Sequence, residues 1–335
     1  MVEGRNRFST TSATESTLWS TRMFSFILKR LFSGIVVLLT VSALTFFLLY
    51  FAGGSIARNI VGDQASPEQV AAKEVELGLD QPLIARFASW LTSAATGDLG
   101  RSWFTSEPVA QALSSRIPVT MVMVVTAMLL IGILAALLGV AAAVKRGPID
   151  RAVQVSAIIG DSIPGFVIGI VLVTLLAIQL KLFPATSTIA PGVGVDAWIL
   201  SLALPVLALV LNGVAGGAQQ IRSAVIKQLE RDYVRTLRSR GISENEILFK
   251  HVLRSAAPAG LTVLSLQLIG MLGGVVIIEA IFALPGIGPL AVSSTSQGDL
   301  PVVMGVVIYT VAVVIVVNLV VDVINGWLNP KVRVS

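Results

Sequence analysis

Asp232-Tyr-Val-Arg235-Thr-Leu-Arg238-Ser-Arg240-Gly241-Ile-Ser243-Glu244-Asn-Glu246-Ile-Leu-Phe249-Lys250-His251-Val-Leu-Arg-Ser-Ala-Ala-Pro258 is a charged stretch set between two apolar runs. Its pattern predicts a helix, a stop at Gly241 and a second short helix. Glycine suits the left-handed residue that closes a helix C-terminus. Ser243 followed three residues later by Glu246 fits a capping box, in which each side chain satisfies an orphan amide of the new helix. Ile242 and Ile247 have the spacing of a hydrophobic staple across that cap. Ile247, Leu248 and Val252 give the second helix an apolar side, and Lys250, His251 and Arg254 fall in its later turns, where cations complement the helix dipole. A plain cytoplasmic loop between membrane helices is also expected to be positive. This one is longer than a turn needs and carries a break and a cap in place of scattered charge, the layout of a docking element.

The runs on either side set the class of the chain. Hydrophobic residues make up 55% of it and charged residues 13%, with a mean hydropathy of +0.86. That is too apolar for a soluble domain of this size, so the reading is an all-α polytopic membrane protein. Six runs are long enough, at about 20 apolar residues each, to cross the hydrocarbon core. They fall near Phe32–Ala52, Ile117–Val144, Ala152–Leu180, Ala197–Ile221, Ala256–Ala283 and Val302–Trp327. With the N-terminus inside, inner segments hold 18 of the 24 Lys and Arg residues, and five of the six outer ones share one long loop. Long loops count little in the positive-inside rule, so both termini are expected in the cytoplasm. The isoelectric point near 9.8 reflects these membrane flanks and does not point to nucleic acid.

The domain layout follows. Residues 1–22 are Ser/Thr-rich and polar, expected as a disordered cytoplasmic extension, and 23–52 hold the first membrane helix. The extracytoplasmic loop 53–116 is the region large enough for soluble structure. Within it Pro67–Leu77 reads as a short helix capped by Ser66, and the stretch around Trp90 is amphipathic. Residues 117–328 form a core of five further spans, with the cytoplasmic loop at 222–255, and 329–335 are a cytoplasmic tail.

Polar residues inside the spans are candidates for a translocation path. An acid in lipid is costly and marks function by default. Asp161 lies near Pro164, where it has two readings: a functional carboxylate, or a cap for the helix piece that restarts at a proline kink. Glu279 is a second acid at membrane depth. Asn212, Gln219, Gln220 and Gln267 either line a polar path or bond across helices. Gly165/Gly169, Gly213/Gly217 and Gly270/Gly274 are small-x-x-x-small pairs that let helix backbones approach.

Several motifs carry a family resemblance over about residues 23–335. The run Arg235-Thr236-Leu237-x3-Gly241, continuing to Leu253 and Pro258, resembles the "EAA loop" of ABC-importer permeases in its peptide/nickel-branch form. Its Glu-Ala-Ala letters are absent, and Arg254 stands where a proline often follows the leucine. Leu77-Gly78-Leu79-Asp80-Gln81-Pro82-Leu83 and Gly97-Asp98-Leu99-Gly100-Arg101-Ser102 are similar to the L-G-L-D-x-P-L and G-D-L-G-x-S signatures of that branch. Glu279-Ala-Ile-Phe-Ala-Leu-Pro-Gly-Ile-Gly288 resembles its E-x-x-F-x-x-P-G-x-G element, and Asn329-Pro330-Lys331-Val332-Arg333 its D-P-R-V-R tail. Met23 begins a stretch like the family's usual start.

The resemblance implies the membrane permease of an importer for oligopeptides or related solutes. It implies a second homologous permease, two cytoplasmic ABC ATPases and an extracytoplasmic solute-binding protein as partners. Arg235, Arg238, Arg240, Gly241, Ser243, Glu244, Glu246, Phe249, Lys250 and His251 would then dock on an ATPase. No cofactor is expected on this chain; ATP and Mg belong to the partners. The residues agree: there is no Gly-x4-Gly-Lys-Ser/Thr, no Gly-x-Gly-x-x-Gly after a strand, no His/Glu zinc pair and no cysteine. Such a chain is not an enzyme. Two rival classes differ in what they require. A secondary transporter would show inverted repeats and midplane ionisable pairs, and neither is visible here. A non-transporting membrane scaffold would copurify with partners without ATP-dependent uptake.

Overall fold

The computed structural model describes residues 9–52, 56–190 and 192–328, and these are helical and irregular, with no strand. In chain order they form α1 (Ser9–Ala52), α2 (Ile56–Val61), α3 (Pro67–Glu76), α4 (Leu83–Ala95), α5 (Val109–Val144), α6 (Pro148–Ser162) and α7 (Gly165–Leu172). A π-helical stretch, Val173–Gln179, extends α7. Then come α8 (Val195–Leu229), α9 (Asp232–Ser239), α10 (Glu244–Glu246), a π turn at Ile247–Val252, α11 (Leu253–Ile281), α12 (Ile287–Gln297) and α13 (Leu300–Leu328).

Among the described residues five helices are long and apolar enough to span a membrane: Ile27–Phe51 of α1, α5, α8, the continuous run Glu244–Ile281, and Leu300–Gly326 of α13. The expected third span is not one straight helix. Pro148–Gly160 and Gly165–Gln179 meet at 94°, so that they make a sixth span only as a bent pair. Pro164 explains the break, because it has no N–H and its ring crowds the preceding turn. Ile163 just before it is extended, at φ −102° and ψ 116°, as a residue before proline prefers.

The N-terminal reading also changes. Helix α1 starts at Ser9, inside the segment expected to be disordered. Helix nucleation is the costly step, so a helix started in the apolar run propagates back through residues of only mildly poor propensity. Residues 1–8 and the 329–335 tail, with its family-like Asn329-Pro330 end, lie outside the described residues.

Helix α8 is the centre of the bundle. Leu204 and Ala208 of α8 pack with Met123, Ala127 and Ile131 of α5 and with Val275 and Ile278 of α11. Between lipid-immersed helices the gain comes from close packing more than from expelling water, and glycines permit it here. A Cβ on Gly139 of α5 would sit 2.6 Å from the Ala218 carbonyl oxygen. Two of the three expected small-residue pairs are packed inside the chain: Gly165/Gly169 against Asn212 and Ile278, and Gly213/Gly217 against Ile131, Ala135 and Gln267. The third, Gly270/Gly274, faces open space. Helix α1 is peripheral and lies along α13, with Gly34 against Ile315 and an Arg30–Asp322 ion pair at 2.9 Å.

Candidate docking and translocation sites

The turn between α9 and α10 has the predicted shape. Gly241 is left-handed at φ +76°, and nothing lies within 4 Å of where a Cβ would be. Ser243 caps the next helix, its Oγ accepting from the Glu246 N–H at 3.3 Å. The reciprocal half of the capping box is replaced: Glu246 instead accepts from Lys250 Nζ at 3.1 Å, one turn on. Arg238 bridges the break, donating through Nε and Nη2 to the two Glu244 oxygens at 2.6 and 3.0 Å. Arg235 pairs loosely with Asp232, at 3.7 Å. These pairs are exposed, and such pairs contribute only about 0.2–1 kcal/mol each. They set the shape of the turn more than they hold it down.

Apolar burial holds it down. Val234, Ile247 and Val252 are fully buried, packed with Ala143 of α5 and Val225 of α8, with Leu237 and Ile242 alongside. The staple expected between Ile242 and Ile247 is part of this cluster. The second helix is not short, as the sequence suggested: α10 runs through the π turn straight into α11. Phe249 rides on this turn and is 67% exposed, a large aromatic aimed away from the cluster that holds its neighbours. Arg240 is also exposed, and His251 is half-buried. The expected loop 222–255 is also shorter than proposed, since α8 stays helical to Leu229.

The opposite end of α11 is built differently. Glu279 is completely buried. Thr120 Oγ1 donates to its Oε1 at 2.5 Å, and the Gly288 N–H donates to its Oε2 at 2.7 Å. The Ile287 N–H donates in turn to Thr120 Oγ1 at 2.9 Å. Glu279 therefore pins the Pro285–Gly288 turn onto α5. In this structure it is enclosed by its own chain and not open to solvent.

The other path candidates sit around α8. Asn212 Nδ2 donates to the Ile163 carbonyl at 3.3 Å, taking up an oxygen freed at the Pro164 break. Gln267 Nε2 donates to the Gly213 carbonyl at 2.6 Å, bonding α11 to α8, while its own Oε1 is buried without a partner. Gln219 Oε1 is likewise buried and unpartnered. Gln220 is exposed. Asp161 belongs to α6, but its side chain lies outside the described residues.

Residues 128–334 match the family model described as "Binding-protein-dependent transport system inner membrane component", and residues 23–124 match that of "Binding-prot-dependent transport system membrane comp, N-term". The chain belongs to this family. The permease is 38% identical over 312 residues to a putative peptide transport system permease protein of Brucella abortus (strain 2308), covering 93% of this chain and 99% of that one. It is 35% identical over 313 residues to a glutathione transport system permease protein of Salmonella choleraesuis (strain SC-B67), again 93% and 99% of the two chains. Among solved structures, inward-facing conformations of the MetNI methionine ABC transporter share the fold, with a TM-score of 0.52 at 19% identity, over 67% of this permease and all of that chain. Members of the family are transport subunits of ABC importers, and ATP hydrolysis lies on separate subunits. That sets aside the secondary transporter and the scaffold.

Three features of the permease escaped the sequence reading. Arg222 of α8 forms a two-pronged ion pair with Asp150 at the start of α6, Nη2 to Oδ2 at 2.9 Å, and Gln154 Nε2 joins at 3.0 Å. It ties the bent third span to the central helix. Ser102, in the Gly-Asp-Leu-Gly-Arg-Ser signature, donates to Asp299 Oδ2 at 2.5 Å, and the Trp103 N–H donates to Oδ1 at 3.1 Å, fixing the long loop to the start of α13. Thr120 is the third, as the partner of Glu279. No local pattern links residues so far apart; the charges flanking the third and fourth spans were the only hint of the first pair.

Proposed function

We propose that this permease pairs with a second, similar permease to form the path by which oligopeptides or related small solutes enter the cell. Two cytoplasmic ATPases carrying ATP and Mg drive it, and an extracytoplasmic binding protein delivers the solute. This chain itself binds no cofactor. The peptide and glutathione permeases among its relatives support the solute class. Both termini are cytoplasmic, from the Lys and Arg asymmetry. The α9–α10 turn, from Arg235 to His251, enters a groove on an ATPase. In this reading Asn212, Gln219, Gln267 and Asp161 are the path candidates, and Glu279, enclosed by its own chain, serves as a structural pin.

One observation carries the docking assignment: an exposed Phe249 stands on a helix that is continuous with α11 and clamped from below. When the ATPases close on ATP and push on this turn, the clamp at Val234, Ile247 and Val252 keeps the displacement from dissipating in a flexible loop. The push passes along α11 toward Gln267 and, through the shared cluster, into α8, giving alternating access. The orphan oxygens of Gln219 and Gln267 then lie between the helices that move.

The test is copurification of the ATPase beside solute uptake in vesicles. Phe249→Asp, at a site two-thirds open to solvent with little packing to lose, should leave the permease in the membrane and abolish ATPase capture. Gly241→Val forces a β-branched residue into a left-handed conformation, a strain of a few kcal/mol at most. It should re-aim α10 and weaken recruitment or uncouple hydrolysis from uptake. Wild-type capture and transport by both variants would reduce the segment to an ordinary loop. Orientation is checked separately: single cysteines at Val75 and Ser243 should label from opposite sides, and labelling from one side would sink the topology.

A further inference from the structure

Residues 53–116 read as the soluble part of the chain, and α3 fits that reading: five of its ten residues are charged or amide-bearing. Helix α4 does not. Across Leu83–Ala95 its single charge is Arg86. Leu83, Phe87 and Trp90 pack with Phe46 and Phe47 of α1 and with Leu300 and Met304 of α13. Phe46 lies five residues inside the end of the α1 span at Phe51, roughly 7 Å along the axis at 1.5 Å per residue. Helix α4 is thus seated at a depth where its neighbours are already in hydrocarbon.

Its polar groups behave accordingly. Arg86 does not reach for solvent but folds back over aromatic faces, 5.9 Å from the Phe46 ring centroid and 5.7 Å from that of Tyr50. Its Nη1 is buried with no hydrogen-bond partner, so the rings stand in for water. The Thr92 hydroxyl turns onto its own helix, donating to the Ser89 carbonyl at 2.8 Å. Tyr50, Trp90 and Trp103 gather at this level, as amphipathic aromatics do where a membrane meets water. The remaining face of α4 is open and uncharged: Ile84 is 76% exposed, with Ala85 and Ala88 exposed beside it and the small hydroxyl residues Ser89 and Thr92 further along. The α1 span that α4 packs on through Phe46 and Phe47 has an open apolar side of its own, with Leu44, Leu48 and Phe51 58%, 67% and 76% exposed. An uncharged open face on a helix packed against a membrane span, at the depth of that span's own residues, has the same solvent as the span.

We propose that α4 is a monotopic helix lying in the membrane leaflet at the end of the bundle opposite α9, with lipid acyl chains covering its Ile84–Ala88 face. Arg86 and Trp90 mark its inner side, against α1, and the chain returns to water at Gly97 and Asp98. This assignment does not depend on which solute the permease carries or on how an ATPase docks.

Because the chain has no cysteine, single-cysteine spin labels can be placed without background changes in the assembled transporter, reconstituted in phospholipid vesicles. Ile84→Cys is compared with Leu48→Cys on the α1 span and with Val75→Cys, 63% exposed on α3. Collision with oxygen, which concentrates in lipid, is measured against collision with a water-soluble nickel chelate. Expected is a ratio at Ile84 matching Leu48 and inverted relative to Val75. Ala88→Cys, a smaller change on the same face, should repeat it and covers the case in which Ile84→Cys does not assemble. Nickel-chelate access like that of Val75 would overturn the proposal in favour of a soluble helix. Low access to both reagents would overturn it in favour of a protein partner seated on α4.

Discussion

Two glycine turns sit at the two ends of the helix that runs from Glu244 to Ile281, and they use glycine for opposite reasons. At Gly241 the need is conformational: φ is +76° and the space around it is empty. At Gly286 and Gly288 the need is room. A Cβ on Gly286 would overlap the Glu279 carboxylate, and one on Gly288 would come within 2.6 Å of Val276 Cα. The first turn is shaped by exposed ion pairs and presents its side chains outward. The second is locked by a buried acid and presents nothing. One end of the helix is exposed, as the proposed docking requires, and the other is fixed to α5 through Glu279 and Thr120, so a push at the first would be resisted at the second.

The sharpest way to break this comparison is to give both turns the same small side chain. In Gly286→Ala the added methyl meets a carboxylate held at both oxygens, which cannot swing away. Overpacking of a rigid site costs typically 1–3 kcal/mol, and about 3 is expected here. Gly241→Ala meets no atoms and bears only the left-handed strain, about 1–2 kcal/mol, spent at an exposed turn. Thermal unfolding in detergent should therefore fall clearly for Gly286→Ala and little for Gly241→Ala. If Gly241→Ala is the more damaging of the two, the division into a shape turn and a space turn is wrong.

Next in size is Glu279→Gln. The carboxylate accepts from Thr120 Oγ1 and from the Gly288 N–H, while a glutamine has one acceptor oxygen and one donor NH2 to offer. Whichever way the amide is turned, a buried donor faces a donor or loses its acceptor. A buried group left so costs about 1–3 kcal/mol. The loss should appear as lower thermal stability with ATPase capture unchanged, because the docking turn is at the far end. Loss of capture with unchanged stability would show that Glu279 acts in coupling and not as a pin.

These two turns also mark what the sequence could and could not disclose. Gly241 was legible because its cause is local: a helix, a glycine and a capping serine lie within three residues. The spans were legible because apolar length is a one-dimensional signal, and Pro164 announced a kink, though not a 94° one. Glu279 was visible as an acid in an apolar run, but its meaning rests on Thr120, which is 159 residues away. Without that partner the acid reads as a path residue. The Asp150–Arg222 and Ser102–Asp299 pairs were hidden in the same way. The continuation of α10 into α11 was missed because a capped helix after a glycine gives no sign of where it ends, and the π turn carries it past Lys250 and Arg254 without a break.

The smallest effect expected at the docking turn is that of its cap. Ser243 supplies one hydrogen bond to the Glu246 N–H, and removing an N-cap costs typically about 1 kcal/mol. Here three things soften the loss. The bond is long at 3.3 Å, Arg238 still bridges to Glu244 across the break, and Ile247 one turn on remains fully buried. The helix cannot unwind past that buried residue, so fraying in Ser243→Ala is confined to the first turn. That turn holds Glu244, and its loosening blurs the direction of the Arg238–Glu244 bridge without moving Phe249, which lies beyond the buried anchor. Ser243→Ala should therefore keep global stability and slightly weaken ATPase capture, with uptake reduced no more than a few fold, since about 1 kcal/mol is roughly a fivefold change in an equilibrium. Titrating the ATPase against the variant reads this directly. A loss as large as that of Phe249→Asp would mean that the cap, and not the aromatic, is what the partner grips. The exposed end of the helix would then be recognised by its backbone, with the side chains only filling in around it.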